Sequence, residues 1–257
     1  MNNKPLSVVM CILISTLFLS ACNLPSKPTA QAQPHTSPAA NTLALTAIPA
    51  RLCNNSFFPN REGASWEYAG SNTVLGAYTR TDTITASTAD AFTLETRSTG
   101  GTYAVNFACT SAGLAAADPI QQYAGAILSN PDMPVHVKLV GLEGVSLPAK
   151  ISPGDAWQQS ADWEASSPDL NLKGRFIFEY TALDYENITV PYGTFDALRI
   201  DVTIRIQLSS LHIPAGSYTI SQWMAPGVGT IKSQGASHVP RVEFSDTMEL
   251  THFVSPP

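Results

Sequence analysis

Residues Gly193 to Leu208 read GTFDALRIDVTIRIQL. From Ile200 onward the apolar side chains fall on every second position: Ile200, Val202, Ile204, Ile206 and Leu208. Arg199, Asp201, Thr203, Arg205 and Gln207 take the positions between them. A helix would scatter the two sets around its axis, whereas an extended chain sorts them onto opposite faces. The stretch is therefore expected as a half-buried antiparallel strand with its isoleucine row turned inward.

The same alternation, less regular, recurs at Tyr78–Thr85, Phe92–Arg97, Tyr103–Cys109, Gly174–Ala182, Tyr218–Met224 and Arg241–Phe253. Turn residues separate these runs at Gly100-Gly101, Pro191-Tyr192-Gly193, Pro214-Ala215-Gly216 and Pro226-Gly227. Each supplies a backbone bend that a strand interior does not tolerate. Ile120–Leu128 (IQQYAGAIL) is the one run that suits a short helix. The fold class expected is all-β with few short helices, built as an antiparallel twisted sheet or half-barrel. An internal echo leaves one lobe or two similar lobes open. Pro59 to Trp66 (PNREGASW) and Pro153 to Trp157 (PGDAW) each place Gly three residues before Trp at a strand start; two unrelated turns would look the same.

Upstream of this domain the chain changes character. Asn2-Asn3-Lys4 is a short cationic start, and Leu6–Leu19 is an apolar run too short to span about 30 Å of hydrocarbon comfortably. Leu19-Ser20-Ala21-Cys22 follows it, and this resembles the bacterial lipobox. The resemblance implies diacylglyceryl on the Cys22 thiol and cleavage before it; an ordinary cleaved leader with an incidental cysteine is the alternative. With two or three acyl chains, at about 0.8 kcal/mol per buried CH₂, the anchor would be stable. Residues 23 to about 50 hold five prolines among Ser, Thr, Ala and Gln, with Lys27 the one charge. Such a segment buries too little apolar surface to offset its ordering entropy and reads as a stalk. His35 within it reads as solvated. The organisation expected is a leader over 1–21, a lipidated tether over 22–52 and a β-rich globular domain over 53–257. The resemblance to lipoproteins also implies, by their sorting rule, that Asn23, which is not Asp, favours the outer membrane if the source has two.

Four cysteines occur, at 11, 22, 53 and 109. Cys11 leaves with the leader and Cys22 carries lipid. Outside the cytoplasm the remaining pair, Cys53 and Cys109, is expected as a disulfide; free thiols or a metal site are the other readings. Two thiols without a nearby His pair make a poor zinc site.

Composition narrows the function. Hydrophobic residues make up 44% of the 257-residue chain and charged residues 13%, with net charge −6. Without Lys4 the exported part has 13 basic residues against 20 acidic ones, and no basic cluster. Nucleic acid is excluded on that ground. No GxSxG or SxxK nucleophile motif is present, and His136, His212, His238 and His252 lack the spacing that puts two imidazoles on one metal. Asp162/Glu164 and Asp184/Glu186 share strand faces at i, i+2. No further oxygen ligands accompany them, so a solvated face is the simpler reading. Gly227-Val228-Gly229 reads as a turn. No metal, cofactor or catalytic residue is assigned. Trp66, Trp157, Trp163 and Trp223 suit either a core or an apolar-ligand cleft, with Trp163 the most ambiguous.

Three passages taken together, PNREGASWEY (59–68), ITVPYGTFDALRIDVTI (188–204) and WMAPGVGTIKS (223–233), resemble uncharacterised bacterial envelope proteins of the DUF3108-like kind. The resemblance runs in order through most of 56–253, with Tyr192 where Ala is commoner in that group. It implies a curved antiparallel sheet related to lipoprotein carriers such as LolA. The motifs are hairpin corners, so it implies no catalytic residue.

The function expected is a membrane-anchored, non-enzymatic envelope lipoprotein facing the periplasm or the exterior. As a carrier of an apolar ligand it would hold a cavity of several hundred Å³, with Ile200, Val202, Ile204, Ile206 and Trp163 facing the ligand. As an interaction module of an envelope complex it would pack that face tightly and expose an apolar patch elsewhere. A hydrolase would need carboxylates or Ser and His gathered in a cleft.

Overall fold

The computed structural model describes residues 52–73, 75–99, 101–119, 136–167, 170–209, 213–238 and 244–257. The expected leader, Cys22, the expected tether as far as Arg51, Ile120–Leu128 and His212 lie outside them. Among the described residues there are thirteen strands and no helix. They are β1 Ser65–Asn72, β2 Gly76–Ser87, β3 Ala91–Ser98, β4 Gly101–Thr110, β5 Gly113–Ala116, β6 His136–Gly144, β7 Leu147–Pro148, β8 Ala156–Ser167, β9 Leu170–Val190, β10 Gly193–Leu208, β11 Ile213–Ala225, β12 Gly229–Ser237 and β13 Ser245–Val254. All belong to one antiparallel sheet, in the order β6-β8-β9-β10-β11-β12-β13-β1-β2-β3-β4-β5-β7.

The expected strand at Gly193–Leu208 is β10, with the expected facing. Ile200, Val202 and Ile204 are buried while Arg205 and Gln207 are exposed. Directly paired residues share a face, so the isoleucine row continues across β9 as Ala182, Tyr180, Phe178 and Phe176. On the other side it continues across β11 as Gln222, Ile220 and Tyr218. The opposite face carries ion pairs, among them Arg205–Glu179 at 2.8 Å and Arg199–Asp201 at 2.9 Å.

The two end strands, β6 and β7, are separated in sequence by Val145 and Ser146 alone. A link that short spans about 10 Å at most, so the sheet curls until its ends approach. The backbone ladder does not close into a barrel; side chains bridge the seam. Gln159 on β8 donates to the Ala116 carbonyl on β5 at 3.2 Å. Its Oε1 accepts from the Ser146 hydroxyl at 2.9 Å, which itself accepts from the Ala116 N–H at 2.9 Å. Gln159 is fully buried, and a buried amide stays there only with its polar atoms partnered.

The echo around the two Gly-x-x-Trp starts is structural. Gly63 and Gly154 have φ of 84° and 90°, which other residues adopt at a cost. The Gly63 N–H donates to Ile84 O (2.8 Å) and the Ile84 N–H to Ala64 O (2.9 Å). Gly154 and Asp155 make the same two bonds with Ala182, at 2.9 and 2.8 Å. The register breaks just beyond each anchor, past Ile84 in β2–β3 and past Ala182 in β9–β10. The β1–β4 segment therefore corresponds to β8–β11, within one continuous sheet rather than as separate lobes.

Cys53 and Cys109 form a disulfide with Cα atoms 4.9 Å apart. It ties the entering segment to the end of β4, and both residues are buried.

Candidate functional site: a cavity inside the curled sheet

The inward face is only partly filled by its own side chains, and a cavity of about 780 Å³ remains. At one end the wall is built of aromatic rings. Phe58 stacks on Trp66 and Phe92 at 5.2 and 5.6 Å, and Phe92 stacks on Phe107 at 4.6 Å. Trp66, 1% exposed, donates from Nε1 to Val228 O at 2.6 Å, so the indole is locked as part of this end. Phe178, Tyr180, Ile206, Met224 and Met248 supply apolar wall from other strands.

A polar group interrupts this wall on β2. Arg80 and Asp82, two residues apart, face inward together. Arg80 Nε and Nη2 donate to the two Asp82 oxygens at 2.8 and 2.9 Å, and the Thr96 hydroxyl donates to Asp82 Oδ1 at 2.7 Å. Burial by itself would lower the Arg80 pKa, but the Asp82 charge and its hydrogen bonds outweigh it and hold the guanidinium ionised. Tyr68 beside it donates to Thr230 O at 3.0 Å, and burial, reinforced by Asp82, pushes its pKa upward. Tyr103, on the paired position to Thr96, also lines the cavity.

Further along β2, the Tyr78 ring lies over Gly70, where a Cβ would collide with it. That close approach lets the Tyr78 hydroxyl donate to Asp246 Oδ1 at 2.8 Å. Burial raises the Asp246 pKa, against the lowering effect of the Tyr78 and Asn72 hydrogen bonds and of Arg80. A carboxyl whose folded pKa is raised costs stability as pH climbs above its unfolded value, and the cost vanishes on acidification. Asp246→Asn, which keeps an acceptor for Tyr78, is expected to raise the melting temperature by roughly 1–3 °C at pH 7. In melts across a pH series the difference should close below about pH 4; a gap unchanged down to pH 3 would show that the carboxylate charge is not its source.

Of the residues expected to face a ligand, Ile206 is on the cavity wall. Ile200, Val202 and Ile204 share its row but are packed in the same cluster as Phe176, Phe178 and Met224, so they support the wall rather than form it. Trp163 also points inward, yet it lies over Gly174 and against Phe176, 5% exposed and off the wall. Its Nε1 has no hydrogen-bond partner among the described residues. Trp157 stacks flat on Tyr180 at 5.1 Å. Trp223 is on the outer face, between Arg199 and Lys232, and donates to Glu186 at 2.8 Å.

The paired carboxylates divide. Asp162 is held by Arg175 at 2.6 and 2.8 Å, and Glu164 is hydrogen-bonded to Lys173. Glu186 faces Arg199 and Trp223. A smaller hollow of about 360 Å³ lies along the strand faces that carry Asp201, Thr203, Thr219, Ser221 and Gln234. Asp201 and Ser221 there already bond each other at 2.8 Å.

Arg80, Asp82 and Tyr103 were not singled out by sequence pattern, although one signal exists. Tyr78, Arg80, Asp82 and Ile84 share a parity, so the face that turns Tyr78 and Ile84 inward must also take two charges.

No family model matches the chain, and no curated protein is similar to it in sequence. Among solved structures, it is similar to a protein of Parabacteroides distasonis assigned as a lipoprotein. The TM-score is 0.51 and the identity 13%, over 79% of this chain and 99% of that one. It is equally similar to an exported protein with a YmcC-like fold from Bacteroides fragilis, with TM-score 0.51 and 13% identity over 79% of this chain and all of the other. At that identity the likeness concerns the fold.

Proposed function

We propose that this chain is a lipid-anchored protein of the bacterial cell envelope that binds an amphiphilic ligand inside its curled sheet, without catalysing a reaction. The observation that carries the reading is the cavity of about 780 Å³, walled in the larger part by aromatic and aliphatic side chains, with Arg80, Asp82, Asp246 and several hydroxyl and amide side chains set among them. Small-molecule sites have this size and combine apolar area, which supplies affinity, with polar groups that set orientation. The envelope location draws on the Leu19-Ser20-Ala21-Cys22 motif and the buried disulfide, and it accords with the lipoprotein and exported-protein assignments of the two similar structures.

The test uses the mature chain from residue 22, carrying Cys22→Ser and exported behind the cleaved leader of another protein. Native mass spectrometry should detect a co-purifying amphiphile. After delipidation, adding back such a molecule should raise the melting midpoint by several degrees, as linkage requires of a ligand held by the folded state. A chain that carries nothing, and gains no stability from any amphiphile, would overturn the reading.

A further inference from the structure

The correspondence between β1–β4 and β8–β11 shows what the sheet itself requires at each inward position. Ile84 matches Ala182, since both hold the glycine turn. Counting along the paired registers from there, Asp82 matches Tyr180 and Arg80 matches Phe178. Across the next strands Thr96 matches Val202 and Tyr103 matches Ile220. The cluster of Arg80, Asp82, Thr96 and Tyr103 thus stands where the other half of the same sheet uses aromatic and aliphatic side chains. The architecture does not call for charge at those positions. Burying it costs free energy that an apolar set would not, and groups that break a local rule in this way are expected where function requires them.

The cluster offers hydrogen bonds but no net charge. Asp82 neutralises Arg80 through a two-point contact that uses Nε and Nη2. Arg80 Nη1 and the Tyr103 hydroxyl have no hydrogen-bond partner among the described residues, and both residues line the cavity. On the wall formed by β11 and β12, the side chains of Gln222 and Ser233, at paired positions, likewise have no partner among the described residues. The other ionisable carboxyl on the wall is Asp246, close enough to Arg80 to feel its charge. An anionic head group at Arg80 would therefore meet one cation already matched by Asp82, with a second carboxyl nearby. A neutral head group bearing carbonyl or hydroxyl oxygens would satisfy the open donors and leave no charge unmatched.

Resting on the proposed ligand-binding role, we infer that the cavity selects an uncharged amphiphile, whose head-group oxygens accept hydrogen bonds from Arg80 and Tyr103. A ligand ionised at its head, such as a fatty acid anion, is the class it disfavours.

The experiment measures quenching of tryptophan fluorescence in the same mature Cys22→Ser chain, because Trp66 is the indole on the cavity wall. The probes are 9,10-dibromostearate, ionised at pH 8, and its monoglyceride, both below micellar concentration. The monoglyceride should bind about tenfold or more tightly than the acid. Tyr103→Phe, which keeps the ring and its packing, should weaken the monoglyceride about 2- to 10-fold, the range for one neutral hydrogen bond. It should leave the acid unchanged. Arg80→Lys, which keeps the charge but not the planar two-point contact, should weaken the monoglyceride as well. Equal or tighter binding of the acid would overturn the inference and leave the ligand-binding role standing. Preference for the monoglyceride with no response in either variant would overturn the assignment to Arg80 and Tyr103. Quenching by neither probe would remove the ligand-binding role itself.

Discussion

Replacing both Cys53 and Cys109 with Ala is expected to lower the stability of the domain by about 4 kcal/mol and its melting midpoint by roughly 10 °C. The two cysteines are separated by 56 positions. A cross-link across so long a loop withdraws much of the freedom of the unfolded chain. The pair also holds in place the segment that carries Phe57 and Phe58, of which Phe57 is buried and Phe58 stacks on Trp66 and Phe92. Without the link, that segment is held by stacking and by a few hydrogen bonds, among them Gly227 N–H to Ser56 O and Asn55 Nδ2 to Pro148 O. Ligand affinity should therefore fall together with stability. Urea titrations of the oxidised wild type and the double variant measure the difference directly; a change below about 1 kcal/mol would mean that the unfolded chain is already confined by other means.

The second large effect concerns Cys22. Cys22→Ser is expected to abolish incorporation of radiolabelled palmitate completely, against strong labelling of the wild type in its native host. The thiol is the acyl acceptor that the Leu19-Ser20-Ala21-Cys22 motif implies, and serine offers no thiolate. Unlike the first substitution, this one should leave the melting midpoint of the β domain unchanged, because position 22 precedes all of its strands. Labelling that persists in the variant would mean that acyl chains sit elsewhere. A wild type that takes up no label would remove the anchor.

Much of the fold is written locally. Alternation in GTFDALRIDVTIRIQL foretells β10 and which of its faces is buried, because a two-residue period leaves an extended chain no other way to separate apolar from charged groups. The turn glycines at 63 and 154 mark two equivalent strand starts for the same kind of reason. Strands such as β12 (GTIKSQGAS) and the four-residue β5 escape notice. Their small and polar residues carry little alternation, and they are strands because neighbours on both sides supply their hydrogen bonds.

What the sequence determined by itself was the all-β class and the inward isoleucine row; it made the Cys53–Cys109 disulfide an expectation, which the structure bears out. Tertiary structure decided the order of the sheet, its curl through the Gln159–Ser146 seam and the space enclosed by that curl. A period of two says which side chains turn away from water, but not what meets them there. Ile204 turns inward and is packed; Ile206, two residues on, turns the same way and borders a cavity. What stands opposite a strand in the curled sheet is set by the strand order, and that order by pairings between residues far apart in the chain.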